Sequence, residues 1–403
     1  MTDITNDQVD VRSYRMSNID MMRGLVIIIM AIDHVRDYFY FSGAGVSISD
    51  PNIDAAFYFT RWITHFCAPV FVFLAGTSVE LMSGRRSKKE LAKFVFKRGA
   101  WLIFCEIVII STAVTFAPFG EPAMGGKTIL FLQVLWAMGF SMIVLSGALF
   151  LGSRACLMIG IAIVVGHNLL GVVWPTGNPF GGGNDPAWIT ILSPGSFIVG
   201  PFYAMVLYPP IQWAGIILLG FGSTFIFQME PLKRDALLRK IGFSFVAAFV
   251  VIRFTGIYGD TNLWQSQELG IISTLFDFMD VTKYPPSLLY ALATLGPMAV
   301  ICSYADRWNG KIKDALVMFG RVPFAFYVGH FYLIHFLSVL LGMWQGFEAG
   351  QLLHMFPFYP HGFGINLIGV YGVWILVMAI MYPFCLWVAK IKSTRKNWWL
   401  SYL

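Results

Sequence analysis

The chain has 403 residues, 57% of them hydrophobic and 12% charged, with a mean hydropathy of +0.68 and a formal net charge of +6. Soluble domains carry about 25% charged residues, so a soluble class is excluded; the sequence reads as an all-α, polytopic helix bundle seated in the lipid bilayer. The basic excess lies in the connections between apolar runs, which argues against nucleic acid as a partner.

Apolar runs of spanning length lie at 19–41, 57–82, 94–117, 129–152, 155–174, 204–228, 240–258, 286–305, 316–343 and 364–390, predicting about ten helices. A short apolar piece at 196–203 reads as re-entrant or as an extension of the sixth helix. Basic residues cluster before the first run (Arg12, Arg15) and after the second (Arg85, Arg86, Lys88, Lys89, Lys93, Lys97, Arg98). They recur at Arg154, at 233–240, at 307–321 and from Lys390 to Lys396, whereas the alternate connections carry only Lys127 and Lys283. By the positive-inside rule both termini are cytoplasmic. Residues 1–18 then form a cytoplasmic segment, 19–391 one transmembrane domain and 392–403 a cytoplasmic tail. The first 18 residues lack a small-residue cleavage site, so the first helix is expected to be retained.

The first run, IDMMRGLVIIIMAIDHVRDYFYF, carries Asp20, Arg23, Asp33, His34, Arg36 and Asp37. Ionised groups at bilayer depth cost a few kcal/mol each and usually line a cavity or a pathway. Arg23 and His34 are eleven residues apart, three turns plus roughly 20°, so they share a stripe about 16 Å apart along the axis. Asp20 and Asp37 sit three residues outside them, close to the same stripe. His34 is either a satisfied structural residue or a group for proton transfer near neutral pH. Its orienting partner is Asp37 or a residue from another helix, because Asp33 points about 100° away.

In the second run Arg61 and His65 are i, i+4 neighbours on one face, with Pro69 available to kink the helix. A polar pocket shared by His34, Arg61 and His65 is expected. A metal site is disfavoured because no third ligand has a telling spacing. Glu106, the carboxylate inside the third run, requires a partner: an arginine (Arg253, Arg36 or Arg61) or water. The segment VTKYPPSLLYALATLGP brings Lys283, Tyr284 and Ser287 to a polar mouth beside Asp277 and Asp280. In the ninth run Arg321 stands at the entrance, with His330 and His335 deeper. Long connections at 42–54, 174–201, 259–283 and 346–364, the last with Glu348, His354 and His361, are either binding loops or solvated turns. The five cysteines read as small core residues.

These residues resemble a bacterial member of the transmembrane acyltransferase superfamily, in the branch similar to the catalytic domain of heparan-α-glucosaminide N-acetyltransferase. The resemblance is carried by SNIDMMRGLVIIIMAIDHVRDYF, THFCAPVFVFLAGTS, YPPIQWAGIILLGFG, TKYPPSLLYALATLGP, FGRVPFAFYVGHFYLIH and the terminal NWWLSYL. Arg23 and His34, with ten residues between them, are also similar to a motif of the acyltransferase-3 branch. The resemblance implies transfer of an acyl group, usually acetyl, from cytoplasmic acetyl-CoA (or another acyl-CoA) to a sugar or other small-molecule acceptor across the cytoplasmic membrane. No metal is implied. His34 would be the general base, with Asp37 and His65 as catalytic partners. Arg23, Arg36, Arg61, Lys283, Tyr284, Arg321 and His330 would hold donor or acceptor. The catalytic histidine of the heparan enzyme lies in its first non-cytoplasmic loop; here 42–54 has none, which moves the role to His34, then His65. The rival reading is a proton-coupled transporter or exporter, which needs the same intramembrane charges.

Overall fold

A computed structural model describes residues 4–41, 53–171, 173–352 and 360–395. Most of connection 42–54, residues 353–359 with His354, and the terminal NWWLSYL lie outside the described residues. The helices are α1 (Ile4–Phe39), α2 (Ala55–Trp62), α3 (Cys67–Ser83), α4 (Lys88–Cys105) and α5 (Ser111–Thr115). There follow α6 (Val134–Ala148), α7 (Ser153–Leu170), α8 (Pro210–Gly222), α9 (Pro231–Thr255) and α10 (Ile271–Met279). The last are α11 (Leu288–Cys302), α12 (Lys311–Arg321), α13 (Pro323–Trp344), α14 (Ala349–Leu352) and α15 (Leu367–Thr394).

Six helical stretches among the described residues are long and apolar enough to cross a membrane. They are Ala55–Ser83, Val134–Leu151, Ser153–Leu170, Pro210–Gln228, Pro323–Trp344 and Leu367–Thr394. The other predicted runs fall on α1, α9, α11 and α4 with its continuation, which are more charged, shorter or interrupted.

The structure corrects the all-α expectation. Strands β1 (Thr128–Leu132), β2 (Gly195–Val199) and β3 (Phe202–Val206) form one sheet in the order β1-β3-β2. β1 runs parallel to β3, with Thr128 opposite Phe202, and β2 returns antiparallel through a turn at Gly200, whose φ is +55°. Residues 129–132 and 204–206, read as helix starts, are therefore strands, and 196–203 belongs to a hairpin. TILFL and FYAMV are rich in β-branched and aromatic residues that favour strands, but each runs on into an apolar helix and so lacks a boundary in hydropathy alone.

Close backbone contacts place α1 and α13. On α1 a Cβ at Gly24 would lie 1.8 Å from the Leu316 carbonyl oxygen of α12, and one at Gly320 would lie 1.8 Å from that of Asp20. Small residues that let backbones touch are a common way to pack helices in membranes. The same reciprocal device joins α3 to α8, where Gly76 meets Ile217 and Gly220 meets Phe73. Because α12 leads directly into α13, the α1–α12 crossing also brings α13 against α1.

Candidate active site

Two chambers enter the bundle and share part of their walls. The first, about 650 Å³, has a basic end formed by Arg23, Arg86, Arg98, Arg321 and Lys392. Val26, Phe71, Met138 and Met142 give it apolar walls, and His34, Tyr208 and Tyr327 also line it. The second, about 770 Å³, is lined by Arg36, Asp37, Arg61 and His65 and walled by two loops. One loop contributes Trp174, Thr176, Gly177 and Phe180; the other contributes Thr261, Asn262 and 280–285. Asp33, Thr64 and Lys283 line both chambers. The long connections at 174–201 and 259–283 are thus walls of a cavity.

Among the charged groups of α1, helical spacing decides the near partners. Arg36, only 2% exposed, places Nη2 2.6 Å from Asp33 Oδ1 and 2.6 Å from Asp37 Oδ1. Asp33 reaches Lys283 Nζ with its other oxygen, at 3.5 Å. Arg23 is 3.0 Å from Asp20 and also donates to the Leu74 carbonyl and Ser78 Oγ of α3. Arg23 is thus locked to Asp20 on its own helix, in a side chain that also lines the basic chamber. Arg321, at the same mouth, has Nε 4.0 Å from Asp20 Oδ2.

His34 finds its partner on another helix. Its Nδ1 lies 2.7 Å from Nε2 of His330 on α13, and the two rings stack at 5.0 Å. His330 Nδ1 is 2.9 Å from the Phe326 carbonyl oxygen, which only accepts. That carbonyl assigns the proton of a neutral His330 to Nδ1, leaving Nε2 to accept from His34 Nδ1–H. His34 Nε2 then carries the lone pair. Phe331 and Tyr327 pack round the His34 ring, with centroids at 4.3 and 6.3 Å.

Two expectations change, and of the two partners open to His34 the one on another helix is found. His34 does not share its pocket with Arg61 and His65: they line the loop-walled chamber while His34 lines the basic one. The Asp33–Lys283 pair stands between them, because Asp33 faces away from His34 as helical spacing requires. Asp37 is drawn to Arg36, its chain neighbour, and the ring partner of His34 is His330. Glu106, fully buried, pairs with no arginine among the described residues; its Oε1 accepts from the Gln133 backbone N–H at 2.7 Å. Gln133 precedes α6, so the carboxylate satisfies an orphan donor at a helix N-terminus. Arg253 instead donates to the carbonyls of Phe278, Asn262, Asp277 and Asp280, holding the second loop.

Of the other predicted residues, Tyr284 lines the loop-walled chamber and its ring lies 5.3 Å from Lys283 Nζ. His335 is buried, with Nδ1 2.9 Å from the Ala113 carbonyl and its ring stacked on Phe116. His361 is exposed and away from both chambers. All five cysteines are free and buried. The sequence did not single out Gln212 or Tyr208, and Arg98 and Lys392 served there only for topology. A signal for Arg98 existed: Phe94, Arg98 and Leu102 lie at i, i+4, i+8, one stripe of α4, and all three line the basic chamber.

The family model for heparan-alpha-glucosaminide N-acetyltransferase, catalytic, matches residues 15–263 of this chain. No curated protein matches it. The matched region contains α1 from residue 15 onward, His34, His65 and the first loop wall, and stops before Lys283 and His330.

Proposed function

Because the chain belongs to the heparan-alpha-glucosaminide N-acetyltransferase catalytic-domain family, we propose that it moves an acetyl group from cytoplasmic acetyl-CoA to a hydroxyl or amine of a glycan-like acceptor across the cytoplasmic membrane. The observation that carries this reading is the pair of chambers sharing Asp33, Thr64 and Lys283, with His34 at the deep end of the basic one.

The basic mouth suits a donor with phosphates: five cations line it against one carboxylate, Asp20. Arginine and lysine hold phosphate oxygens through charge-assisted hydrogen bonds. A pantetheine arm has about thirteen bonds from phosphate to sulfur; at roughly 1.2 Å of advance per bond, as in an extended peptide, it spans ~16 Å. That matches the rise of about 16 Å from Arg23 to His34 along α1. The thioester would then lie beside His34, and the apolar walls would exclude water from it.

The acceptor would enter the loop-walled chamber. Its walls hold buried polar atoms with no protein partner: Nε and Nη1 of Arg36, Nδ1 of His65 and Oε1 of Gln212. Unmet donors and acceptors in one cavity suit a ligand that offers both, as a sugar does. His34 Nε2 would take the proton of the attacking group as the acceptor attacks the thioester carbon, a contribution of about 10²–10⁴-fold. The transporter alternative is not favoured, since the family is one of acetyltransferases.

The test is purified protein in lipid nanodiscs with [¹⁴C]acetyl-CoA and glucosaminide or envelope-glycan acceptors, beside His34→Ala. Acetyl transfer with stoichiometric release of CoA, lost in the variant, is expected. Transfer by His34→Ala at the unaltered rate would refute the role of His34.

A further inference from the structure

Among the described residues, Lys283 is the one cation that lines both chambers. Its side chain is largely buried and its Nζ stands 3.5 Å from Asp33 Oδ2. It shares the basic chamber with His34.

The backbone that presents it is tied down at both ends by one carboxylate. Asp260 accepts from the Thr282 backbone N–H at 3.0 Å, from Thr282 Oγ1 at 2.5 Å and from Ser287 Oγ at 2.6 Å. It also accepts from the Asn262 N–H at 2.9 Å. The Lys283–Pro286 arch between those anchors therefore has little freedom. Arg253, gripping the carbonyls of Asp277 and Asp280, fixes the approach to it.

Taking the proposed acetyl transfer as its basis, we propose that Lys283 is a catalytic residue: its ammonium binds the oxygen of the thioester carbonyl as negative charge develops there. His34 Nε2 takes the proton from the acceptor O–H or N–H, and the acceptor lone pair forms the new bond to the carbonyl carbon. The carbonyl π pair moves onto oxygen, opposite Lys283. When the tetrahedral centre collapses, that pair re-forms C=O and the C–S bond breaks. Sulfur leaves with the bonding electrons and receives the proton from His34. Acyl ester or amide and free thiol are the products, and no further reactant is needed. A fixed charge aimed at the developing oxyanion in a site closed to bulk water needs no reorganisation during the reaction. Asp33 keeps the ammonium oriented without blocking it, since a lysine carries three donors and the 3.5 Å contact engages one side of it.

The experiment compares the full-length protein with Lys283→Met and Lys283→Arg in nanodiscs. Acetyl-CoA is the donor, methyl α-glucosaminide or total envelope glycan is the acceptor, and donor Kd is measured by calorimetry. Lys283→Met is expected to lose about 10²–10³-fold in kcat, with donor Kd and both KM values within about 3-fold. Lys283→Arg, which restores the charge, should recover at least ~10-fold of that. Should Lys283→Met fold poorly, because Asp33 loses one of its two cations, Asp33→Asn/Lys283→Met removes both charges and is read in the same way. A folded Met variant whose kcat stays within ~3-fold of the unaltered protein overturns the proposal, as does a loss carried wholly by KM. If His34→Ala abolishes transfer while Lys283→Met retains it, only the role of Lys283 falls. If the unaltered protein acetylates none of these acceptors, the proposal falls together with the reading beneath it.

Discussion

The His34–His330 contact supports the sharpest prediction. Replacing His330 by Phe keeps ring volume but removes the acceptor that sits 2.7 Å from His34 Nδ1. His34 then loses the bond that selects the tautomer with a free Nε2, and loses it most when the ring becomes an imidazolium during transfer. A hydrogen bond to a charged group is worth about 1.5–3 kcal/mol, which at 1.36 kcal/mol per decade is a fall of roughly 10–150-fold in kcat. The KM for acetyl-CoA should move little, because His330 lines neither chamber. His330→Gln, whose amide oxygen still accepts, should lose less than His330→Phe. The assay is steady-state CoA release with acceptor saturating, alongside a thermal melt in the same detergent. A folded His330→Phe with kcat within 2-fold of the unaltered protein, or a loss expressed only in KM, would refute the tautomer argument.

Transfer by the unaltered protein should rise with pH as the imidazole of a general base loses its proton, and flatten above that step. An acid limb that persists unchanged in His34→Gln would assign it to another group. Arg98→Ala and Lys392→Ala are each expected to raise the KM for acetyl-CoA about 3–10-fold, the ~1 kcal/mol worth of one partly screened charge. The effect should shrink as salt is added; a salt-independent shift would point to packing instead. Glu106→Leu leaves the Gln133 N–H buried without its acceptor and should cost about 1–3 kcal/mol, read as a lower melting temperature. Glu106→Gln, which keeps a carbonyl oxygen for that N–H, should cost much less. Gly24→Val drives a side chain into the Leu316 carbonyl and should destabilise by at least the ~1–3 kcal/mol of overpacking. Gly84→Val, where a Cβ meets nothing within 4 Å, is the control.

What the sequence disclosed followed contact range. Asp20–Arg23 and Asp33–Arg36 are i, i+3 pairs on α1, and the reactive stripe was visible because six ionisable residues interrupt one apolar run. His330 was visible as a candidate but not as the partner of His34. The two are 296 residues apart in sequence, and their meeting depends on where α13 lies, which the backbone contacts at Gly24 and Gly320 set. Glu106 misled for a different reason. A carboxylate in an apolar helix suggests an arginine, yet its partner is a backbone N–H, which every residue but proline possesses and no residue type announces. The sheet was hidden because its strands border membrane-length helices without a break in hydropathy. The division of one polar pocket into two chambers likewise depends on Lys283, which arrives from a loop beyond the reach of helical periodicity.

The charges of α1 explain why such a helix can sit in the bundle at all. At its upper cluster the carboxylates of Asp33 and Asp37 face the cations of Arg36 and Lys283, so the formal charges cancel across four adjacent side chains. Burying them unpaired would cost several kcal/mol each, and deleting one partner of a buried pair typically costs about 3–5 kcal/mol. Three of the four groups come from neighbouring turns of one helix, but the fourth does not: without Lys283, Asp33 would be left with Arg36, which it shares with Asp37. The loop held by Asp260 is thereby bound to the stability of α1. The same ion pair lines both chambers, so the contact that neutralises the helix is also part of the wall they share. A shared wall built from apolar side chains would divide the chambers equally well, but under the proposed transfer it would offer no charge to the thioester carbonyl.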